Sequence, residues 1–279
     1  MRVAITGASS GLGRALAAEF ARRFPGAELM LVARRESRLA ELAASLSGST
    51  CDCYALDVTE VGALEAACRD YVERRGAPDV VIANAGISAG TVTGVAGDRA
   101  VFRRIVEVNL LAMPDTFAPF IAPMRAAGQG TLVGIASVAG VRGIPGSEAY
   151  SASKAGVIAY LESLRVGLRG SGVSVVTLVP GYVKSEMTDV NDFRMPFLIS
   201  ADDFARRAVQ AILRRDRYRT IPWQMGLAAT ALRALPRPLY DRVFENAPRK
   251  PRRASRHGAG DAGAGDGAGR SRGEEGASW

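Results

Sequence analysis

The sequence predicts an α/β fold, a doubly wound parallel sheet with helices on both faces, and three observations carry that prediction. Short, wholly apolar runs alternate with helical patterns from residue 2 onward, the rhythm of a parallel sheet covered on both sides. The first run ends in a glycine-rich elbow, Thr6-Gly7-Ala8-Ser9-Ser10-Gly11-Leu12-Gly13, and a helical pattern follows at once. The 279 residues are 48% apolar and 23% charged, the balance of a globular chain long enough to bury a large core.

The elements follow in order. A short run at 2–6 with Val3, Ala4 and Ile5 at its centre makes the first strand, and Leu16, Ala17, Phe20 and Ala21 recur at the spacing of a helix face. A strand at 28–33 leads to a helix at 36–46 with Leu39, Leu42 and Leu46 inward. A third strand at 53–56 stops at Asp57, a helix spans 61–75, and a fourth strand covers 79–83. One helix from about 100 to 120 precedes a fifth strand at 130–136, and a long helix at 147–169 feeds a sixth at 173–179. The stretch 181–199 has little rhythm and holds Pro196. Ser200 with Asp203 has the spacing of a capping box for a helix at 202–215. An edge strand at 218–222 and an apolar helix at 223–235, stopped by Pro236 and Pro238, close the folded part. This divides the chain into a catalytic domain at 1–222, an apolar helical extension at 223–246 and a basic, Gly-rich tail at 247–279 expected to be disordered.

Composition removes several function classes. The net charge is +8, but its Arg pairs are dispersed at 22–23, 34–35, 103–104, 206–207 and 214–215, a pattern of solvated helix surface that predicts no nucleic-acid binding. Cys51, Cys53 and Cys68 show no metal-ligand grouping, so no metal is expected. The single histidine, His257, lies in the tail, so histidine chemistry inside the fold is excluded. The first strand starts too early for a signal peptide and no long apolar stretch stands out, so a cytoplasmic location is expected.

Chemistry gathers at the strand ends. A strand running through a Gly loop into a helix makes an anion site, because free N–H groups and the helix dipole face the loop. The glycines at 7, 11 and 13 depart from the best-known dinucleotide spacing. Arg34, directly after the second strand, suits a ribose 2′-phosphate, whereas Arg35 reads as surface. Asp57 suits an adenine amine, a helix cap or both, and Asn84-Ala85-Gly86 leaves a small surface for a flat ring. Ser137 ends the fifth strand, and Tyr150 and Lys154 stand one turn apart on one helix. A neighbouring ammonium is expected to lower the phenol's pKa and fit it for proton transfer to or from a substrate oxygen, with Ser137 holding that oxygen.

These motifs, with Asn109 and Pro180-Gly181, resemble the short-chain dehydrogenase/reductase family over roughly residues 1–222. The resemblance implies a Rossmann-like domain and a nicotinamide cofactor, with contacts from Gly7, Ser9, Ser10, Gly11, Leu12, Gly13, Asp57, Val58, Asn84, Ala85 and Gly86. It implies that Asn109 kinks its helix and holds a water in a relay from Lys154, and that Lys154 also holds the nicotinamide ribose. Pro180, Gly181 and Val183 would line the nicotinamide, with Ser185 near its amide or the pyrophosphate. Ala83 stands where the family often has Asn, and Ser185 where Thr is usual. Arg34, with Ser10 or Arg14, resembles the NADP(H)-preferring members.

The resulting expectation is an NADP(H)-dependent oxidoreductase acting on a carbonyl or secondary alcohol. An epimerase or dehydratase on a nucleotide-sugar needs a larger C-terminal domain, and a non-catalytic NADP(H) sensor or scaffold would ordinarily lack part of the intact Ser137, Tyr150 and Lys154 set. The loop at about 186–200 carries Met187, Val190, Phe193, Met195, Phe197, Leu198 and Ile199, which points to a hydrophobic substrate. Apolar residues all round the 147–169 helix, together with the family resemblance, predict a homodimer or homotetramer. For the extension, packing on the fold is preferred over peripheral membrane contact.

Overall fold

The computed structural model describes residues 1–191, 193–247 and 249–252. Strands β1 (Arg2–Thr6), β2 (Glu28–Ala33), β3 (Thr50–Ala55), β4 (Val80–Ala83), β5 (Gly130–Ile135), β6 (Val173–Pro180) and β7 (Tyr218–Ile221) form one parallel sheet in the order β3-β2-β1-β4-β5-β6-β7. The order reverses between β1 and β4, which opens a crevice beyond their carboxyl ends.

Alternation along each strand divides the core. Val3 and Ile5 face α1 (Gly11–Arg23), α2 (Glu36–Ser45) and α7 (Ala201–Leu213), whereas Ala4 faces the other side. That side is covered by α3 (Val61–Arg75), by the π turn at Glu107–Leu111 and α5 (Ala112–Ala126), which α4 (Asp98–Val106) leads into, and by α6 (Glu148–Gly167), while Val101 and Ile105 of α4 pack in a separate cluster with Ala89 and Ala149. Fully buried Phe20, Phe117, Phe120 and Phe204 fill both layers, each stabilising the fold by about 1.5–3 kcal/mol on burial.

Two element boundaries differ most from the sequence reading. β3 begins three residues early, because an edge strand paired only to β2 needs no continuous apolar run. The helix expected to end near 120 runs past Pro119 and Pro123 to Ala126, held by Phe117, Phe120 and Met124 against the sheet. By length and composition, 98–126 is also long and apolar enough to cross a membrane, which the sequence reading had not expected; 44% of its apolar window is buried inside the fold.

α8 (Trp223–Ala234) and a further helix, α9 (Arg237–Phe244), extend the fold beyond α7. Met225 and Ala229 pack inward while Trp223 and Leu227 stay exposed. Arg142 donates to the carbonyls of Leu232, Arg233 and Leu235 at 3.1–3.2 Å and stacks on Tyr240. The expectation of a tail disordered from 247 is corrected at its start. Residues 249–252 lie across the fold, with Gly90 N–H donating to the Pro251 carbonyl and Arg252 paired with Asp98. The remaining tail, including His257, lies outside the described residues, as does Asp192 of the loop.

Candidate active site

The Gly loop is locked to the end of β4 by backbone contact. Gly7 has φ +68°, and a Cβ there would stand 2.8 Å from Ala85 Cα. A Cβ on Gly13 would meet the Gly7 carbonyl oxygen at 2.2 Å. Asn84 Nδ2 donates to the Thr6 and Gly7 carbonyls at 2.9 and 3.2 Å, and Thr6 Oγ1 accepts from the Asn84 and Ala85 N–H groups. Ser10, the N-cap of α1, makes no side-chain cap bond, and the first turn holds no acidic residue. The first N–H groups of α1 are therefore free of side-chain capping by Ser10, which is the donor set an anionic phosphate needs. This cradle fits the pyrophosphate of a dinucleotide.

Beside it, Arg35 overturns its assignment to surface. Its Nη2 donates to Ser9 Oγ at 3.2 Å and Ser10 Oγ at 2.8 Å, while Nη1 pairs with Glu186 at 3.3 Å. Arg34 Nη1 stands 3.9 Å from Asp57 Oδ2. Asp57 neither caps α3, whose N-cap is Glu60, nor stands alone. It accepts from the Thr59 N–H and hydroxyl and from Arg104. Burial alone would raise its carboxyl, but these donors together hold it below the usual range. Arg104 and Glu186 were not singled out in the sequence. Their partners lie 47 and 151 residues away in the chain, so no local spacing signals them.

At the other end of the crevice, β5 delivers Ser137 and α6 delivers Tyr150 and Lys154. Ser137 Oγ accepts from Ala139 N–H at 3.2 Å, which starts a turn that carries the chain away from the site. Lys154 Nζ lies 5.9 Å from the Tyr150 ring centre and donates to the Ile135 carbonyl at 2.7 Å. Asn109 sits in the π turn, where the resemblance placed a kink. Its Oδ1 accepts from Ile87 N–H at 2.8 Å, and its Nδ2 donates to the Ile87 carbonyl and Ser153 Oγ. Asn109 thus fixes the loop after β4 against α6.

The electrostatics differ from expectation at the phenol. Tyr150 is raised above its ordinary pKa, not lowered, because burial disfavours the phenolate more than the Ser137 hydrogen bond favours it. Lys154 is pulled down to about 8 by burial. Its ammonium is directed to the Ile135 carbonyl, and so its field does not dominate the phenol.

A cleft of about 250 Å³ brings together every sequence-predicted site residue except Gly13 and Asn109, which stand one layer behind its wall. Val58, Pro180, Gly181, Val183 and Ser185 complete that wall. Val183 is fixed by a bridge to Ile199, Ser185 N–H donates to Thr188 Oγ1, and Gly181 packs under Met225 of α8.

Residues 1–194 match the short chain dehydrogenase family. The chain belongs to that family. It is 40% identical over 239 residues to an uncharacterized oxidoreductase of Myxococcus xanthus, spanning 85% of this chain and 93% of that protein. An alcohol dehydrogenase from the archaeon Thermococcus sibiricus, complexed with 5-hydroxy-NADP, is 28% identical with a TM-score of 0.69, covering 79% of this chain and 95% of its own. A short chain dehydrogenase/reductase from Burkholderia phymatum, in complex with NAD, is 26% identical with a TM-score of 0.75, covering 90% and 96%. This short-chain dehydrogenase is thus a nicotinamide-dependent oxidoreductase.

Proposed function

We propose that the enzyme is an NADP(H)-dependent reductase of a carbonyl group on a largely hydrophobic substrate, with the secondary alcohol as product. A bound nicotinamide supplies the hydride. The protein's own part is proton transfer and positioning. Tyr150 is a phenol that ordinarily keeps its proton at neutral pH, and burial favours that form further, so it is ready to give its proton to the carbonyl oxygen as negative charge develops there. Ser137 Oγ holds the same oxygen by a hydrogen bond. Lys154 orders the ribose end and passes a proton from solvent to the phenol, with Asn109 holding the loop after β4 in place beside it.

The observation that carries the cofactor preference is the pair of arginines after β2. Arg35 lies on Ser9 and Ser10, Arg34 lies beside it, and the position where NAD users place an acidic residue is basic here. The family relatives with NAD and with NADP leave both cofactors available, and the arginines favour the phosphate. Fluorescence titration with NADPH and NADH tests this. The wild type should bind NADPH more tightly, and Arg34→Ala should weaken NADPH by about tenfold or more, for a lost contact of about 1.5–3 kcal/mol, while leaving NADH little changed. Equal or tighter NADH binding by the wild type would refute the preference.

Two further features support the reading. Val190, Phe197 and Leu198 of the substrate loop expose their side chains, as expected of a lid that closes on an apolar body. Leu111 and Val166 stand 54% and 63% exposed on the two long helices beside the active site, which supports a two-fold interface there. Light scattering at micromolar protein should give at least a dimer, and we place the enzyme in the cytoplasm.

A further inference from the structure

The strap at 249–252 is docked with more structure than a loose terminus requires. Arg252 grips Asp98 with two hydrogen bonds of 2.8 and 3.1 Å, and Asp98, only 4% exposed, also accepts from Val92 N–H. Gly90 N–H donates to the Pro251 carbonyl at 3.0 Å. A Cβ on Gly90 would stand 2.2 Å from the Lys250 carbonyl oxygen, so the strap needs a bare backbone beneath it. The stem of Arg249 crosses Gly146 on the far side.

Between these anchors Lys250 turns inward. Its Nζ donates to Ser88 Oγ at 2.9 Å and to the Met187 carbonyl at 3.2 Å. Ser88 follows Ile87, and Ile87 and Met187 both line the catalytic cleft. The ammonium therefore stands next to the lining residues Ile87 and Met187, at the edge of the cleft, between the loop after β4 and the start of the substrate loop. Burial lowers its pKa to about 8, and among the described residues no carboxylate pairs with it. Two neutral oxygens could be bridged by a neutral donor without the cost of desolvating a cation. A positive charge in this position is explained by a negative charge that arrives with a ligand.

We propose that Lys250 is a specificity-determining residue that pairs with an anionic group, a carboxylate or phosphate, on the carbonyl substrate. The substrate is then amphipathic: its apolar body lies under Val190, Phe197 and Leu198, its carbonyl faces Tyr150, and its acidic group meets the strap. This rests on the reductase reading, and it adds the acidic group.

The test pairs oxo-acids of graded chain length with their methyl esters, assayed by NADPH oxidation with wild type, Lys250→Met and Lys250→Arg. The wild type should favour the acids. Lys250→Met should raise KM for the acids by about tenfold or more, change kcat little, and leave the esters unaffected, while Lys250→Arg keeps the preference for acids. Equal use of acid and ester by the wild type would overturn the proposal. So would a parallel loss on both in Lys250→Met, which would make Lys250 a clasp between two loops. Weaker NADPH binding in Lys250→Met with an unchanged acid-to-ester ratio would assign the cation to the cofactor and overturn it too. If the wild type reduces neither acids nor esters, the reductase reading fails on its own. The recognition is then read by calorimetric titration of the same compounds into the NADPH complex. Tighter acid binding that Lys250→Met abolishes supports it, and no difference between acid and ester overturns it.

Discussion

At the cofactor end of the cleft, Gly7, Gly13, Thr6 and Asn84 interlock through backbone atoms closer than any added Cβ would allow. At the substrate end, Ser88, Met187 and Lys250 meet through a long side chain brought from 162 residues away, held by an ion pair at a partly exposed strap. The first end is specified by which residues lack side chains and by one small amide that spans two neighbouring strands from 78 residues away. The second depends on tertiary contacts between segments that share no sequence rhythm. In the proposed reading the dinucleotide takes the end that tolerates the least change, and the substrate takes the end that side-chain replacement can re-shape without disturbing the sheet.

The sharpest test of this division is at the point where the ends meet. Tyr150→Phe removes one hydroxyl and its transferable proton. Turnover should fall by about 10²–10⁴-fold while NADPH affinity and melting temperature stay near wild type. Residual reduction above a tenth of the wild-type rate would mean another acid operates, and Ser137 is the first to examine. Gly13→Ala should act on the cofactor end alone. Its new Cβ meets backbone at 2.2 Å, an overpacking cost of about 3 kcal/mol that should lower the melting temperature and weaken NADPH. A Gly13→Ala protein with wild-type stability and NADPH affinity would show that the loop is not rigid.

The same division explains what was legible in the sequence. The sheet and its helices were readable because apolar period and length are local properties, and Ser200 capping of α7 followed from spacing alone. Ser137, Tyr150 and Lys154 were readable as strand-end and helix-face positions. Asn109 came from the family resemblance, since nothing in its neighbours announces the π turn that aims it at Ile87. Arg35 was misread because its role depends on the approach of the 9–10 loop across the strand end. The strap was misread because Arg-rich and Gly-rich composition describes a tail's average, whereas its docking depends on one buried carboxylate, Asp98.

Lys154 offers a stability test in which burial and charge oppose each other. Its folded-state pKa, about 8, lies below the ordinary 10.5, so folding favours the neutral amine and the charged form costs stability. That cost is complete below about pH 8 and is relieved as pH rises from about 8 toward 10.5. The shift corresponds to roughly 3 kcal/mol, reduced by about 1 kcal/mol for the Ile135 hydrogen bond that a replacement loses. Lys154→Met should therefore be more stable than wild type at pH 7 in urea, with the advantage shrinking through that window, and should be inactive at every pH. A constant difference across pH would mean that the ammonium is already compensated.

The smallest expected effect separates the two ends most cleanly. Asp98 is buried on α4, away from the Gly loop, and its hydrogen bond with Arg252 holds its carboxyl below the usual range. Asp98→Asn keeps the acceptor for Val92 N–H but discharges the partner of Arg252, which is itself 47% exposed, so the fold should lose little. The strap should dock less firmly, and Lys250 should spend less time between Ser88 and Met187. Substrate KM should rise severalfold while NADPH affinity stays unchanged, and limited proteolysis should cut the variant earlier near 249–252. Because the native contact needs an ionised Asp98, acid should release the strap of the wild type in the same way, as pH falls through that depressed pKa. If instead Asp98→Asn weakened NADPH in step with substrate, the strap would act on the whole cleft through α4 and the π turn, and the two ends would not be separable.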